Sequence, residues 1–72
     1  MIAHYEAEQS VLGAMLRSSK ATGTAIERLR PDDFADPAHR EMFSAMLTIA
    51  LGNRQVDLVT LDEELTRRGK LD

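Results

Sequence analysis

Asp36-Pro-Ala-His-Arg-Glu-Met-Phe-Ser-Ala-Met-Leu-Thr-Ile-Ala-Leu-Gly-Asn53 carries a helix start, an apolar face and a helix stop in one unbroken run. The aspartate can cap free backbone N–H groups. Proline at the first helical position sacrifices no hydrogen bond, and its φ is already helical. Behind that start, His39, Phe43, Met46, Leu47 and Ala50 recur at helical spacing with Met42 and Ile49 beside them, which makes one face apolar. Gly52-Asn53 tolerates positive φ, so the helix is expected to end near Leu51. This should be the central and most buried helix.

Upstream, Tyr5 to Ser18 reads as a first helix, with Val11, Leu12, Met15 and Leu16 apolar and Glu6, Glu8, Gln9 and Arg17 at polar positions. Acids in its first turn and Arg17 in its last suit the helix macrodipole. Gly13 inside it costs helix stability, so either the site tolerates the loss or, the preferred reading, another backbone approaches there. Ser18 to Gly23 reads as a polar linker. Thr24-Ala-Ile-Glu27 then has the form of a capping box opening a short second helix, whose contacts are Ile26 and Leu29 and which Pro31 stops. Asp32-Asp33-Phe34 is a turn whose phenylalanine is expected to plug the core.

Downstream, Gln55-Val-Asp-Leu-Val59 is compatible with a short extended segment, too short to make a sheet alone. Thr60-Leu-Asp-Glu63 reads as a further capping box. A last helix follows through Leu65 to Arg68, with Arg67 and Arg68 at its carbonyl end and Gly69 as terminator. The result is an all-α chain, a small orthogonal bundle of about four helices in one domain, residues 1–72.

At 72 residues and 8.0 kDa there is room for one core. A chain this short buries only about 60% of its unfolded surface. No cysteine is present to staple it, and His4 and His39 lie too far apart to suggest a zinc knuckle. Nine basic against twelve acidic residues give a net charge of −3, which disfavours a domain built to neutralise phosphates. The 43% apolar content suffices for a core, and no stretch is long and apolar enough to span a membrane; a cytoplasmic location is the default expectation.

The obvious candidates for chemistry are Asp36, His39, Arg40 and Glu41. Asp36 is explained as a cap, Arg40 and Glu41 point away from the face carrying His39, and a lone histidine on an apolar face reads as a hydrogen-bonded core residue. Asp62, Glu63 and Glu64 read as first-turn acids stabilised by the macrodipole rather than as a metal site. Arg67, Arg68 and Lys70 form a weak phosphate footprint that a solvated helix end explains as well. Met15, Met42 and Met46 read as core filler. No catalytic, cofactor-binding or metal residue is assigned, and no phosphate-cradling glycine loop is present.

Glu6-Ala-Glu-Gln-Ser-Val-Leu-Gly-Ala-Met-Leu16, Pro31-Asp-Asp-Phe34, Pro37-Ala-His-Arg40, and Val56-Asp-Leu-Val-Thr-Leu61 followed by Glu64-Leu65 and Arg67-Arg68-Gly69 resemble, in this order, the N-terminal domain of bacterial replicative DNA helicases of the DnaB type. The resemblance implies a helical head in a collar of six such domains stacked on RecA-like ATPase domains, with ATP and magnesium held in that downstream motor. It implies as partners the other helicase subunits and a primase or helicase loader; the acidic balance and the few aromatics, Tyr5, Phe34 and Phe43, make direct nucleic-acid contact unexpected, and no membrane contact is expected. The chain itself is then a non-catalytic assembly and interaction domain. The alternative is a stand-alone adaptor or decoy that contacts a helicase or primase. The family domain continues past a position like Asp72 with a further helix and a C-terminal helical hairpin. The head alone is therefore expected to leave apolar surface uncovered near Leu65 and Leu71, and no partner-binding residue is carried over.

If the Asp36 carboxylate caps the central helix, Asp36→Ala should cost about 0.5–2 kcal/mol. An unchanged denaturation midpoint would place the helix start elsewhere.

Overall fold

The structure, a computed structural model, describes residues 4–69. Four helices follow one another: α1 (Tyr5–Arg17), α2 (Ser19–Arg28), α3 (Pro37–Leu51) and α4 (Leu58–Arg67), with a single 3-10 turn at Pro31–Asp33 between α2 and α3. No strand occurs among the described residues. α1 packs on α2 and α3 on α4, and the two pairs are joined where α1 meets α3.

α3 begins and ends where its sequence signals lie. The Asp36 carboxylate accepts from the N–H groups of Ala38 (2.8 Å) and His39 (3.2 Å), and Pro37 follows it. At the far end the Gly52 N–H turns back onto Thr48 and Ile49 carbonyls, and Asn53 takes the left-handed conformation at φ 61°. Between them Phe43, Ala45, Met46 and Ile49 are fully buried, with His39 nearly so. Phe34 does plug the core: it is fully buried, its ring centroid 4.9 Å from that of Phe43. Leu12, Met15, Ala25, Val56, Leu61 and Leu65 complete the cluster, and Met42, Ile26 and Leu29 pack against its edge. Burying each large apolar side chain contributes about 1.5–3 kcal/mol, so this cluster dominates the stability of so small a chain.

The expected linker at Ser18 to Gly23 is helical instead. Ser18 alone is extended (φ −147°, ψ 120°), and its hydroxyl caps α2 by accepting from the Ala21 N–H at 3.2 Å. Thr24 and Glu27 therefore lie inside α2 and form no capping box. Buried Thr22 explains why so weak a helical sequence folds: its Oγ1 lies 2.7 Å from the Met15 carbonyl in the last turn of α1 and 3.2 Å from that of Ser18. A carbonyl left without a partner at a helix end is thereby satisfied, and the corner between α1 and α2 is fixed.

α4 likewise starts earlier than Thr60. Asp57 is its cap, accepting from the Thr60 N–H at 2.9 Å, while Thr60 Oγ1 accepts from the Asp57 N–H at 3.0 Å. Leu58 and Val59 are thus helical rather than extended. The alternation of Val56, Leu58 and a partly apolar neighbour looked strand-like because the helix start falls in the middle of it. Gly69 ends α4 in the left-handed region at φ 77°.

Two further expectations change. Leu65 is buried, packed in the core, and Leu71 lies outside the described residues; the exposed large apolar side chains are Tyr5, Leu51, Leu58 and Val59. No backbone crowds Gly13: a Cβ there would meet only the tip of the exposed Arg17 side chain, nearest at 3.1 Å. Of the two readings, toleration is the one that holds. Gly13→Ala should then raise stability by up to about 1 kcal/mol as Arg17 swings aside. A loss of stability in thermal unfolding would show that the guanidinium cannot move.

Candidate functional site

The constellation Asp36, His39, Arg40 and Glu41 is dispersed by the fold. Asp36 is occupied as a cap. Arg40 is exposed and donates to the carbonyls of Phe34 (3.2 Å) and Ala35 (3.3 Å), closing the turn that precedes α3. Glu41 faces α4 and accepts from Arg68 at 2.8 Å. His39 turns inward, and there it meets a residue that its place in the sequence hid.

That residue is Glu8, 1% exposed. Its Oε1 lies 2.8 Å from His39 Nδ1, and the two carboxylate oxygens also accept from the N–H groups of Ala35 and Asp36. An ionised carboxylate only accepts, so Nδ1 carries the hydrogen. The Tyr5 ring, centroid 4.5 Å away, covers the imidazole from the α1 side. By sequence Glu8 reads as one of the polar positions of the first turn. Its register was the available signal, since Glu8, Leu12 and Met15 fall on one stripe and a histidine on an apolar face needs a partner.

A second network joins α3 to α4. Glu64, 3% exposed, accepts from Arg68 Nε at 2.8 Å and from Arg67. The Arg68 guanidinium continues to Glu41, to Ser44 Oγ (3.2 Å) and carbonyl (3.3 Å), and to Thr48 Oγ1 (2.9 Å). The acidic run is therefore split, with Asp62 and Glu63 exposed and Glu64 pointing inward, and because α4 starts at Leu58 none of the three lies in its first turn, so the first-turn reading fails for all of them. Among the described residues no group of three His, Asp or Glu side chains could hold a metal ion. Of the expected phosphate footprint, Arg68 is committed to carboxylates, Arg67 remains exposed, and Lys70 lies outside the described residues.

Hydrogen bonding sets the electrostatics of both networks. Burial alone would raise the Glu8 carboxyl, but the His39 ring and the Ala35 and Asp36 N–H groups outweigh it and hold it below the ordinary carboxylate range. Glu64 is lowered by Arg68 and then Arg67 against its burial, and Arg68 is raised in turn by Glu64 and Glu41. No buried side-chain nitrogen or oxygen among the described residues lacks a partner. Such an interior can brace helices. What remains for recognition is the surface: Leu58 (70% exposed), Val59 (66%) and Leu51 (72%) around the α3–α4 connection, and the grooves between helices.

Comparison with known proteins agrees with this architecture. A family model described as the DnaB-like helicase N terminal domain matches residues 1–72. Replicative DNA helicase DnaB of Rhodothermus marinus is 46% identical over 67 residues, covering 93% of this chain and 7% of that protein. The Mycobacterium leprae protein of the same description is 48% identical over 65 residues, 90% of this chain and 11% of that one. The chain thus spans a small fraction of the length of these relatives. Among solved structures, the crystal structure of the N-terminal domain of DnaB helicase from Mycobacterium tuberculosis superposes with a TM-score of 0.86 at 49% identity. It matches 90% of this chain and 45% of that one.

A carboxyl more acidic in the folded chain than in the unfolded one contributes stability that is complete above the unfolded pKa, about 4.3, and disappears as pH falls through the lower folded value. The thermal midpoint should therefore hold between about pH 7 and pH 5 and drop below about pH 4. Glu8→Gln should lower the midpoint at neutral pH and flatten part of that drop, leaving the Glu64 share. A variant with the wild-type acid profile would show that Glu8 is not the titrating brace.

Proposed function

This chain belongs to the DnaB-like helicase N-terminal domain family, and from that premise we propose that it is a non-catalytic assembly and docking domain of a hexameric replicative DNA helicase. Residues 1–72 act as one head in the N-terminal collar, and the collar presents surface to a primase or loader. ATP and magnesium belong to the motor domains of such a helicase, not to this head. The observation that carries the reading is the family match over the whole chain. Its support is a head whose interior charges are all used in bracing: Glu8 with His39 ties α1 to α3, and Arg68 with Glu41 and Glu64 ties α3 to α4. A ring motor needs its subunits held at defined spacing, and a braced helical head meets that need without nucleotide.

The test replaces the matching head of the Mycobacterium leprae helicase by residues 1–72. The chimera should form hexamers in native mass spectrometry and unwind a forked duplex, while a headless version should assemble less completely. The isolated chain should show no amide shift changes with saturating MgATP. A chimera no better assembled than the headless protein, or specific ATP-dependent shifts in the chain, would overturn the proposal. Inhibition of the intact helicase by the isolated chain in trans, with a failed chimera, would favour the adaptor reading.

A further inference from the structure

An open groove of about 530 Å³ lies between α1 and α2. Val11 and Ala14 of α1, Ala21 and Ala25 of α2 and Leu29 just beyond it supply its apolar lining, and because three of these five are alanines the floor is shallow. Lys20, Thr24 and Arg28 follow one another at steps of four residues and so form a single row of α2 along the groove. All three are exposed, and the two cations stand eight residues or about 12 Å apart. Neither cation forms an ion pair among the described residues, and no acidic side chain lines the groove. In a chain of net charge −3 this is a local reversal of sign.

Both walls of the groove are helices, whose backbone groups bond within the helix. No strand edge is on offer, and an extended segment laid there would press its own N–H and C=O groups against alanine methyls. A helix arrives with its backbone already satisfied. Small side chains on the floor let its axis come close, so one apolar stripe can meet α1 and α2 together and complete a three-helix layer. The rim then selects for charge, since carboxylates about eight residues apart beside that stripe would meet Lys20 and Arg28, whereas a basic helix would be repelled. Single-stranded nucleic acid is a poorer occupant, because the floor has no aromatic side chain for bases to stack on. A membrane is poorer too, because a concave floor does not reach into acyl chains as a protruding apolar face does.

We infer that the α1–α2 groove receives an acidic amphipathic helix of a partner protein, its apolar stripe on Val11, Ala14, Ala21 and Ala25 and its carboxylates against Lys20 and Arg28. The inference rests on the docking half of the proposed function and adds to it the chemistry of the docked segment. A single head suffices for the contact, since every residue it uses lies on one helix pair. One buried stripe and two exposed ion pairs make a moderate contact, with a dissociation constant expected at roughly 10–100 μM.

Amide shift mapping and titration calorimetry on the full chain test it. The probe is a capped peptide of about 18 residues, long enough to populate a helix, with leucine and alanine on one face, glutamates about eight positions apart beside that face, and glutamine elsewhere. Shifts should cluster on the facing sides of α1 and α2 and saturate at one peptide per chain. Moving the glutamates to the opposite face of the peptide should weaken binding roughly tenfold. Lys20→Glu with Arg28→Glu should weaken it by a similar factor, and that variant should bind the peptide whose glutamates are replaced by lysines. Such recovery also shows that the variant is folded. Ala21→Leu, at a half-buried position on the floor, should block the groove while leaving its charges in place. No binding at millimolar peptide, binding indifferent to both the charge reversal and Ala21→Leu, or a lysine peptide that restores nothing would overturn the inference. Shifts on α2 with a thymidine oligonucleotide or a phosphatidylglycerol vesicle, and none with the acidic peptide, would overturn it in favour of nucleic acid or lipid. If the peptide fails while the chimeric helicase still forms hexamers and unwinds, only the groove assignment falls; if the peptide binds and the chimera fails, the groove stands and the helicase role falls.

Discussion

The Glu8 carboxylate is the constraint on which the arrangement of the two helix pairs depends. It lies on α1 yet accepts from a side chain of α3 and from two backbone N–H groups in the turn before α3. A buried carboxylate without donors would be costly; with three it is satisfied, and it demands that those donors stay together. The position of α1, the entry of α3 and the orientation of His39 are thereby a single geometric condition. Apolar contacts supply most of the driving force, but Leu12 and Met15 could slide along α3, whereas a hydrogen-bonded carboxylate could not.

The same logic explains how an acidic chain with few basic residues holds its interior. The two most buried carboxylates have opposite solutions: Glu8 is met by a ring N–H and backbone amides, Glu64 by two arginines. One uses the backbone between elements, the other the long side chains at a helix end. Both leave the polar interior complete among the described residues, while charges such as Lys20, Arg28, Asp62 and Glu63 are exposed.

Much of this was legible in the sequence, for reasons that can be named. Asp36-Pro37 and Gly52-Asn53 are local signals whose chemistry acts within three or four residues, and α3 obeyed them. Phe34, Phe43 and Met46 were recognisable as core because large apolar residues at helical spacing have few other places to go. The α1–α2 junction was not legible, because Ser18 resembles any linker serine until the Met15 carbonyl brings Thr22 inward. Thr24 and Glu27 imitated a capping box by spacing alone, and Asp57 was overlooked because the real box pairs aspartate with threonine. Glu8 is hidden by a deeper cause than Glu64: its partners lie 27 to 31 residues away and need the fold to be known, whereas those of Glu64 lie 3 to 4 residues away. The second could have been read from register, since Leu61, Glu64, Leu65 and Arg68 share a stripe.

Arg68 gives the head a mechanical character. Its guanidinium grips α3 from Glu41 to Thr48, about 10 Å of that helix, while its own backbone closes the last turn of α4. A pull on the main chain at Gly69 would meet the Arg68 bonds to Glu41, Ser44 and Thr48 together. Bonds loaded in parallel share a force that would open them one by one if applied in series. The carbonyl end of α4 is thus moored to α3 at several points along that helix, and Glu8 moors α3 in turn to α1.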